Sequence, residues 1–501
     1  MRTLFAFAVI CSQCSLLLGA SEIEKLEQSL SLPDYSYAGY HRSERPIPHV
    51  EGPVFDVVAY GAVPDDEKSD RAAIQAAVDA AQEAGGGVVL FPPGRFELNA
   101  IGDVDSLRVS GSKIVFRGAG AEKGGSILSM KEAMPPPPPM KLWMSPYAIE
   151  VGDRSEDERI GKILANAEAG ERRIQVENAS ALRVGDWIAL RLLENDPDFV
   201  RSELSGFDHP ETRWTSIWQN GVSIWERHQV ESVAGNEVVL TSPIFKPIDS
   251  RYDWSVVRLY PLSEIGFESL RFEGSWTEPF DHHRSWLDDG GYSILKLNNV
   301  ANSWIRDCVF VNLNRVCVIV NSVQVTVADC RLEGNPGHNA INFQRSSFCF
   351  MTRTQDLASH WHSLGVSNES IANVFLDCFW NSDTCFESHS SQPRYTLFDS
   401  CFGGFMKGRG GGAAFNLPTH MEGLLLWNHL KTNPGLEDFQ FEPYGETYWR
   451  VLQPTIVGMH GTPISFREGQ GVVAAHGAPV DGGALFEYQL ARRLGQSAER
   501  D

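Results

Sequence analysis

The fold is decided by a segment that repeats between residues 305 and 403 and begins IRDCVFVNLNRVCVIVNSVQVTVADCRLEG (305–334). Small or apolar residues return in columns, with one member in each repeat. The first column steps by 22, 24, 24 and 23 residues through Cys308, Cys330, Thr354, Cys378 and Cys401. The second column lies three residues earlier, at Ile305, Val327, Met351, Phe375 and Phe398. A third column steps by 23, 23 and 22 residues through Val320, Phe343, Val366 and Ser388.

Repeats this short leave no room for a helix and cannot bury an apolar face alone, so each must stack on its neighbours. The pattern therefore predicts the coils of a parallel β-helix with the columns pointing inward. Because strand side chains change face at every residue, the positions beside the third column point outward. These outward positions, which we call the outer ladder, are Asn342, Gln344, Gly365, Ser367, Glu387 and His389. We expect the chemistry of the protein on this face.

Composition and charge restrict the possible partners. The 501 residues, 42% of them hydrophobic, suffice for a large core, and a β-helix can hold that length as one elongated domain. Residues 1–20 combine Arg2 with apolar runs, which predicts a cleaved secretory signal too short to span a membrane. Its removal takes one of the 43 basic residues, so 42 oppose 64 acidic residues and the formal charge is −22. We expect an exported protein, secreted or periplasmic, that binds neither nucleic acid nor anionic membranes.

The chain divides into four predicted parts. Residues 21–54 form an extended lead-in after the signal, and residues 55–430 form the β-helix. A small antiparallel β insertion interrupts the coils at about residues 130–250, with a hairpin turn at Gly235 and Asn236. Residues 431–501 supply further strands and a closing helix over residues 483–494, which we expect to cap the C-terminal end.

A second informative stretch is FDVVAYGAVPDDEKSDRAAIQAAVDAAQEAGGGVVLFPPGRFEL (55–98). It predicts a strand, a turn, a helix with Ser69 as N-cap, and another strand at residues 88–91. One face of the helix carries Ile74, Ala77, Val78 and Ala81, and we expect it to cover the open end of the β-helix.

Residues 56–98 resemble the opening segment of the pectate-lyase-3 superfamily, which includes rhamnogalacturonase-like, epimerase-like and tailspike proteins. The coils NSWIRDCVFVNLN (302–314) and NSVQVTVADCRLEG (321–334) resemble the same superfamily. The resemblance extends from Phe55 to about Asn428. It implies a right-handed parallel β-helix and a connection with carbohydrates. It does not supply catalytic residues, because members place different chemistry on this scaffold.

Seven cysteines follow the signal, all between Cys308 and Cys401. In an exported protein, a disulfide framework is one interpretation. The odd number and the column arrangement favour buried free thiols stacked from coil to coil.

Candidate catalytic residues cluster at the outer ladder and its edges. They are Glu387, His389, His360, His362, Arg345 and Arg394. In a β-eliminating lyase, His389 or His362 would remove the proton next to a uronate carboxyl, and Arg345 or Arg394 would neutralise the carboxylate. In a glycoside hydrolase, Glu387 would act with Asp383 or Asp356. For each histidine alone, a structural role in a turn is the alternative.

Candidate substrate-binding residues come from the same face and from the loop SWTEPFDHHRSWLDDGGY (275–292). They are His338, Asn339, Asn342, Gln344, Trp286, His282, His283 and Asp288. Tryptophan stacks on sugar rings, whereas His and Asp bind hydroxyl groups. The alternative is that the tryptophans of this region pack the insertion onto the coils.

The combined pattern predicts an exported carbohydrate-active enzyme that cleaves a polysaccharide, with a lyase acting on a uronate-containing glycan favoured. The alternatives are a glycoside hydrolase, an epimerase, and a non-catalytic glycan-binding or surface β-helix protein. No cofactor is predicted with certainty, although the residue types suit Ca²⁺ or a divalent transition metal. The sequence does not predict the oligomeric state.

Overall fold

The computed structural model describes residues 21–100, 102–152, 156–204, 213–405, 413–443 and 449–495. The predicted signal peptide, residues 1–20, lies outside these ranges. The α-helices are α1 (Glu22–Ser29), α2 (Arg71–Glu83), α3 (Pro197–Glu203), α4 (Thr215–Asn220), α5 (Trp286–Gly290) and α6 (Leu485–Leu494). Short 3₁₀ helices span Tyr35–Tyr37, Tyr40–Ser43, Val57–Tyr60, Ala179–Ala181 and Ala414–Asn416.

Three long parallel sheets, which we name A, B and C, dominate the fold, and the chain visits them in this order in each central coil. Sheet A contains Val54–Asp56, Gly87–Leu90, Ile114–Arg117, Leu262–Ser263, Gly266–Glu268, Val300–Arg306, Val323–Ala328, Phe350–Thr352, Ile371–Leu376, Arg394–Asp399, Leu424–Trp427, Thr455–Val457 and Val472–Ala474. Sheet B contains Gly94–Asn99, Ser126–Met130, Arg271–Gly274, Val309–Val311, Arg331–Glu333, Gln355–Asp356, Phe379–Trp380, Phe402–Gly403, Leu430–Lys431 and His460–Gly461. Sheet C contains Leu107–Val109, Ile149–Val151, Ser293–Asn298, Arg315–Val320, Asn339–Gln344, Gly365–Ser367 and Glu387–His389. A further parallel pair joins Leu436–Phe439 to Ile464–Phe466, and the whole is a right-handed parallel β-helix, as predicted.

The inward columns form the core of the β-helix. Strand pairing aligns Ile305, Val327, Met351, Phe375 and Phe398 one above another, as predicted. The same column continues to Phe267 on one side and to Leu426 on the other. Phe375 and Phe398 stack with ring centroids 4.6 Å apart. Stacking of equivalent residues from successive coils therefore supplies the burial that a single coil lacks.

One predicted column is wrong by one residue. Phe343 pairs with Ile319, whereas Val320 pairs with the outward Gln344. Ile319 is buried and Val320 is partly exposed. Both residues are apolar and β-branched, so the sequence pattern could not distinguish their faces, and a shift of one residue exchanges them.

The seven cysteines of the repeat region are buried thiols and none forms a disulfide, as predicted. Cys308, Cys330, Cys378 and Cys401 are completely enclosed, as is Thr354 in the same column. Burial raises the pKa of the Cys308 and Cys401 thiols well above the ordinary value. These thiols therefore behave as small apolar core residues.

Helix α2 buries the predicted face, Ile74, Ala77, Val78 and Ala81, against the first coils. Its N-cap residue is Asp70, not Ser69. The Asp70 carboxylate accepts the backbone N–H groups of Val63 (2.8 Å) and Glu97 (3.0 Å), and thus joins the turn to a sheet B strand. That α2 covers the open end of the β-helix stays a prediction.

The lead-in is not simply extended. Helix α1 begins after Ser21, whose hydroxyl accepts the N–H of Glu24 at 3.2 Å. Glu27 of α1 accepts hydrogen bonds from Gln489 and Arg492 of the closing helix α6. Phe486 of α6 stacks on Phe350, on the outer side of sheet A, with ring centroids 4.6 Å apart. The two ends of the described chain therefore pack together on this flank, and capping of the last coil by α6 stays a prediction.

The antiparallel insertion is present, between residues 158 and 259. Its six strands are Glu158–Lys162, Arg173–Gln175, Trp187–Glu194, Val222–Ala234, Glu237–Leu240 and Ser255–Leu259. The hairpin at Gly235 and Asn236 joins two of them, as predicted. Trp214 and Trp254 are buried in a hydrophobic cluster made mainly of insertion residues, so neither is exposed to a ligand. Within the described ranges, no helix is long and apolar enough to cross a membrane.

Candidate functional site

The outer face of sheet C carries a cavity of about 270 Å³. Its lining residues are Trp143, Arg315, His338, Asn339, Asn342, Gln344, His362, Ser367 and His389. The strand register places Asn342, Gly365 and Glu387 in one line, and Gln344, Ser367 and His389 in the next. The outer ladder expected from the repeat therefore forms, and part of it lines the cavity.

Glu387 joins two histidines beneath the cavity. Its Oε1 accepts a hydrogen bond from His389 Nδ1 at 2.8 Å, and its Oε2 accepts one from His362 Nδ1 at 3.1 Å. The Glu387 side chain is 1% exposed, whereas that of His389 is 36% exposed. Burial alone would raise the pKa of Glu387, but the two histidines outweigh burial and lower its pKa to about 2. Glu387 is thus an ionised carboxylate whose two oxygens fix the orientation of both imidazoles.

Three further histidines lie beside this group. The ring of His338 is 5.0 Å from the ring of His362, centroid to centroid, and 5.3 Å from that of His282. His283 and His338 share Asp289 as a partner, through its carboxylate at 2.6 Å and its backbone carbonyl at 3.0 Å respectively. Burial lowers the pKa of His338 well below its ordinary value. Burial, with the nearby His283 and His362, lowers the pKa of His282 to about 3.

Two amides line the floor of the cavity. Asn342 Oδ1 accepts the hydroxyl of Ser367 at 2.9 Å. Asn342 Nδ2 and Asn339 Oδ1 are buried without a hydrogen-bond partner among the described residues. A buried polar atom is costly when it is unpaired, so these two atoms are suited to a polar ligand.

Arg315 and Trp143 complete the cavity, and both were missed from the sequence. The Arg315 guanidinium lies 4.7 Å from the centre of the Tyr147 ring and donates to the backbone carbonyl of Trp143 at 3.2 Å. Trp143 is 58% exposed, on the loop after the proline run at residues 135–139. The sequence signal that could have identified Arg315 is its position one repeat before Asn339, a predicted binding residue with which it pairs. Trp143 lies outside the repeat and had no such signal.

Four predicted catalytic residues do not line the cavity: Glu387 lies beneath it, and His360, Arg345 and Arg394 are engaged elsewhere. His360 is buried, with Nδ1 bonded to Asp356 at 2.8 Å and Nε2 near the carbonyl of Leu313 at 3.3 Å, so the structural alternative fits it better. Arg345 pairs with Glu369 at 2.7 Å, in the turn after its strand. Arg394 is buried and bonded to Glu203 of α3 at 3.2 Å, so it ties the insertion to the coils. The strand spacing was correct, but the side chains of His360, Arg345 and Arg394 are engaged by other groups of the protein.

Four predicted binding residues are also outside the cavity lining: His282, His283, Asp288 and Trp286. Asp288 is buried in its own loop, where it accepts from Ser285 and Arg284. Trp286 opens α5 and is partly exposed. Neither predicted partner of Glu387 in a hydrolase lines the cavity: Asp356 is bonded to His360, and the exposed Asp383 accepts from Ser359 at 2.8 Å.

Residues 54–122 match the model of the Rhamnogalacturonase A/epimerase, pectate lyase-like family. The resemblance predicted from residues 56–98 is thereby confirmed. Residues 359–499 match a second model, described as a domain of unknown function (DUF4955). This second match includes His362, Glu387 and His389.

One curated relative is similar to a short segment of this chain, and solved structures are similar over most of it. Mannuronan C5-epimerase AlgE6 of Azotobacter vinelandii is 49% identical over 49 residues, which are 10% of this chain and 6% of that protein. Among solved structures, the tailspike protein gp49 of Pseudomonas phage LKA1 is similar at 12% identity and a TM-score of 0.42, covering 82% of this chain and 71% of that one. The A-module of the A. vinelandii epimerase AlgE4 is similar at 13% identity and a TM-score of 0.32, covering 84% and 96%.

Among the described residues, two groups of three side chains place potential metal-ligand atoms within 4.8 Å of one another. One is His362, Glu387 and His389, and the other is His282, His283 and His338. Both are rich in imidazole nitrogen, whereas Ca²⁺ requires six to eight oxygen ligands. The described residues around the cavity therefore suit a transition metal better than the Ca²⁺ considered from the sequence.

Proposed function

We propose that the protein is an exported enzyme that cleaves a uronate-containing polysaccharide by β-elimination, with His389 as the base. The observation that carries the proposal is the pair of Glu387 and His389 at a cavity that also holds Arg315. The match to a carbohydrate-acting family supports the substrate class.

His389 has the arrangement of a general base. Because its Nδ1–H donates to Glu387, the proton of the neutral ring is on Nδ1 and the lone pair is on Nε2. His389 lines the cavity and is partly exposed, so this lone pair is accessible to a ligand. The buried Glu387 carboxylate also stabilises the imidazolium that forms when His389 takes a proton.

Arg315 and the amides suit the other requirement, the binding of a carboxylate. Arg315 is the one Arg or Lys among the described residues that line the cavity. Its guanidinium would form charge-assisted hydrogen bonds with a uronate carboxylate, and Asn339 and Asn342 offer further polar contacts. In a protein with a formal charge of −21, this local positive charge offsets the general repulsion of an acidic glycan.

In the proposed reaction, His389 removes the proton from the sugar carbon next to the carboxylate. The electron pair first spreads into the carboxylate, where Arg315 stabilises the developing charge. It then forms a carbon–carbon double bond as the glycosidic bond on the adjacent carbon breaks. The departing sugar oxygen takes a proton from the imidazolium or from water, which balances the reaction without a cofactor.

Hydrolysis is less well supported because it requires two carboxyl groups on either side of the scissile bond. The described lining residues include no Asp or Glu. Glu387 is present beneath the cavity, but both of its oxygens accept from histidines. Epimerisation shares the proton-abstraction step, and the 49-residue similarity to a mannuronan epimerase makes it the second candidate.

The test incubates the purified protein with panels of uronate-containing and neutral polysaccharides. New ultraviolet absorbance together with new reducing ends, on uronate substrates only, is the expected result. Reducing ends without absorbance would establish hydrolysis instead. Incorporation of solvent deuterium without chain cleavage would establish epimerisation, and glycan binding without any of these changes would establish a binding protein.

A further inference from the structure

We propose that His282, His283 and His338 form a binding site for one divalent transition metal ion of the Zn²⁺ type. This site is separate from the Glu387–His389 pair, and of its three histidines His338 also lines the cavity. Binding of the ion to the protein does not depend on the proposed glycan chemistry.

The three imidazoles are already close enough to share an ion. Each offers a nitrogen, and these nitrogens lie within 4.8 Å of one another. The ring centroids of His283 and His338 are 5.5 Å apart, and those of His282 and His338 are 5.3 Å apart. Zn²⁺ binds imidazole nitrogen at about 2.0–2.1 Å, so two ligands on a tetrahedral ion are about 3.4 Å apart. Small side-chain rotations therefore suffice to close the site.

Asp289 fixes the protonation of two of these rings. His283 Nδ1 lies 2.6 Å from the Asp289 carboxylate, and His338 Nδ1 lies 3.0 Å from the Asp289 backbone carbonyl. Both oxygens can only accept, so each Nδ1 carries the proton and each Nε2 keeps a lone pair. Metal-bound histidines commonly donate their other N–H to a carboxylate or carbonyl in this manner.

The free nitrogens supply an independent reason for a ligand. His338 Nε2 and His282 Nε2 are both buried and have no hydrogen-bond partner among the described residues. The His338 side chain is partly buried. A buried acceptor without a partner is costly, and a metal ion would satisfy both nitrogens at once.

The second histidine group fits a metal less well. Both oxygens of Glu387 already accept hydrogen bonds from the Nδ1 atoms of His362 and His389. A metal bound among those same atoms would have to displace these hydrogen bonds. The His282–His283–His338 site requires no displacement of the Glu387 hydrogen bonds.

The test uses the full protein, stripped with a chelator, dialysed, and titrated separately with Zn²⁺ and Co²⁺. We expect one ion per chain by elemental analysis, and visible absorption typical of tetrahedral Co²⁺. His283→Ala is the main variant because His283 is exposed and its loss should leave the fold intact. It should weaken Co²⁺ binding at least 10-fold, and Asp289→Asn should weaken it about 10- to 100-fold through loss of the outer hydrogen bond.

Two controls make the assignment specific. His49→Ala removes an exposed histidine elsewhere and should bind the ion as the wild type does. Glu387→Gln changes the neighbouring group and should also retain the ion. Absence of stoichiometric binding by the wild type would overturn the proposal, and so would loss of binding in Glu387→Gln with retention in His283→Ala. Because the readout is binding, failure of glycan cleavage alone would count against the proposed function and leave this inference standing.

Discussion

Glu387 and His389 lie two residues apart on one strand of sheet C, and their side chains meet through a 2.8 Å hydrogen bond from Nδ1 to Oε1. Residues at this spacing share a face of the strand, so the backbone itself sets the pair. The neighbouring coil adds His362 to the second oxygen of Glu387. The pair is thus held from two sides and aimed at the cavity.

Replacement of this base should abolish most of the activity. We expect His389→Ala to lower kcat/KM on a uronate polysaccharide by about 10²- to 10⁴-fold, the usual contribution of a general base. Glu387→Gln should also reduce kcat, since it removes the charge that stabilises the imidazolium. Initial rates from ultraviolet absorbance provide the measurement.

His476→Ala is the matched control for this prediction, because His476 is exposed and does not line the cavity. Its kcat/KM should remain within about two-fold of the wild type. Full activity in His389→Ala, with unchanged folding by circular dichroism, would assign the base to another residue.

The sequence predicted the parts of the fold and site that follow the repeat. Phe375 and Phe398 are one coil apart, and so are Ser367 and His389, so the period alone placed each pair in contact. The same period could not identify Trp143, which reaches the cavity from a loop without periodicity. For side chains inside the repeat, the period predicted where each residue lies but not which group it bonds to.

Arg394 shows that the sequence did not predict the bonding partner of a residue inside the repeat. Its strand is in the expected register, yet its side chain is buried against Glu203, 191 residues earlier in the chain. His360 shows the same limit at short range, because Asp356 and the Leu313 carbonyl occupy both ring nitrogens. Such competition between partners depends on three-dimensional packing and leaves no pattern in one sequence.

Trp143 should contribute to substrate binding rather than to chemistry. Stacking of an exposed aromatic ring on a sugar is worth about 0.5–1.5 kcal/mol, comparable to an aromatic pair. We expect Trp143→Ala to raise KM about 2- to 10-fold with little change in kcat. Trp286→Ala is the matched control, since Trp286 is partly exposed but does not line the cavity. An equal change in KM in both variants would contradict a specific role of Trp143 in substrate binding.

The buried cysteines should be unreactive in the native state. Burial raises the pKa of the Cys349 thiol to about 12 and that of Cys317 well above its ordinary value, so the reactive thiolate is scarce. We expect no alkylation of the folded protein by iodoacetamide at pH 8, and seven alkylated cysteines among residues 21–501 after unfolding without reductant. Mass spectrometry counts the modified residues. Fewer than seven in the unfolded sample would reveal disulfides and contradict the stacked-thiol arrangement.

Asp399 should make the stability of the fold depend on pH. It is completely buried, where its carboxyl accepts the N–H of Phe486 at 2.8 Å and the hydroxyl of Ser400 at 3.0 Å. Burial raises the pKa of Asp399 to about 8. Between about pH 4 and pH 8 the folded state therefore keeps a proton that the unfolded state, with a pKa of about 3.9, has lost.

Stability from this group is fully present below about pH 4 and is lost as pH rises to 8, by at most about 1.4 kcal/mol per pH unit. Asp399→Asn keeps an acceptor for Phe486 but cannot ionise, so its urea midpoint should rise relative to the wild type between pH 5 and pH 8. Asp307→Asn changes an exposed aspartate and should show no such trend. A constant difference between Asp399→Asn and the wild type at both pH values would mean that Asp399 is ionised in the folded protein, with Phe486 and Ser400 compensating for its burial.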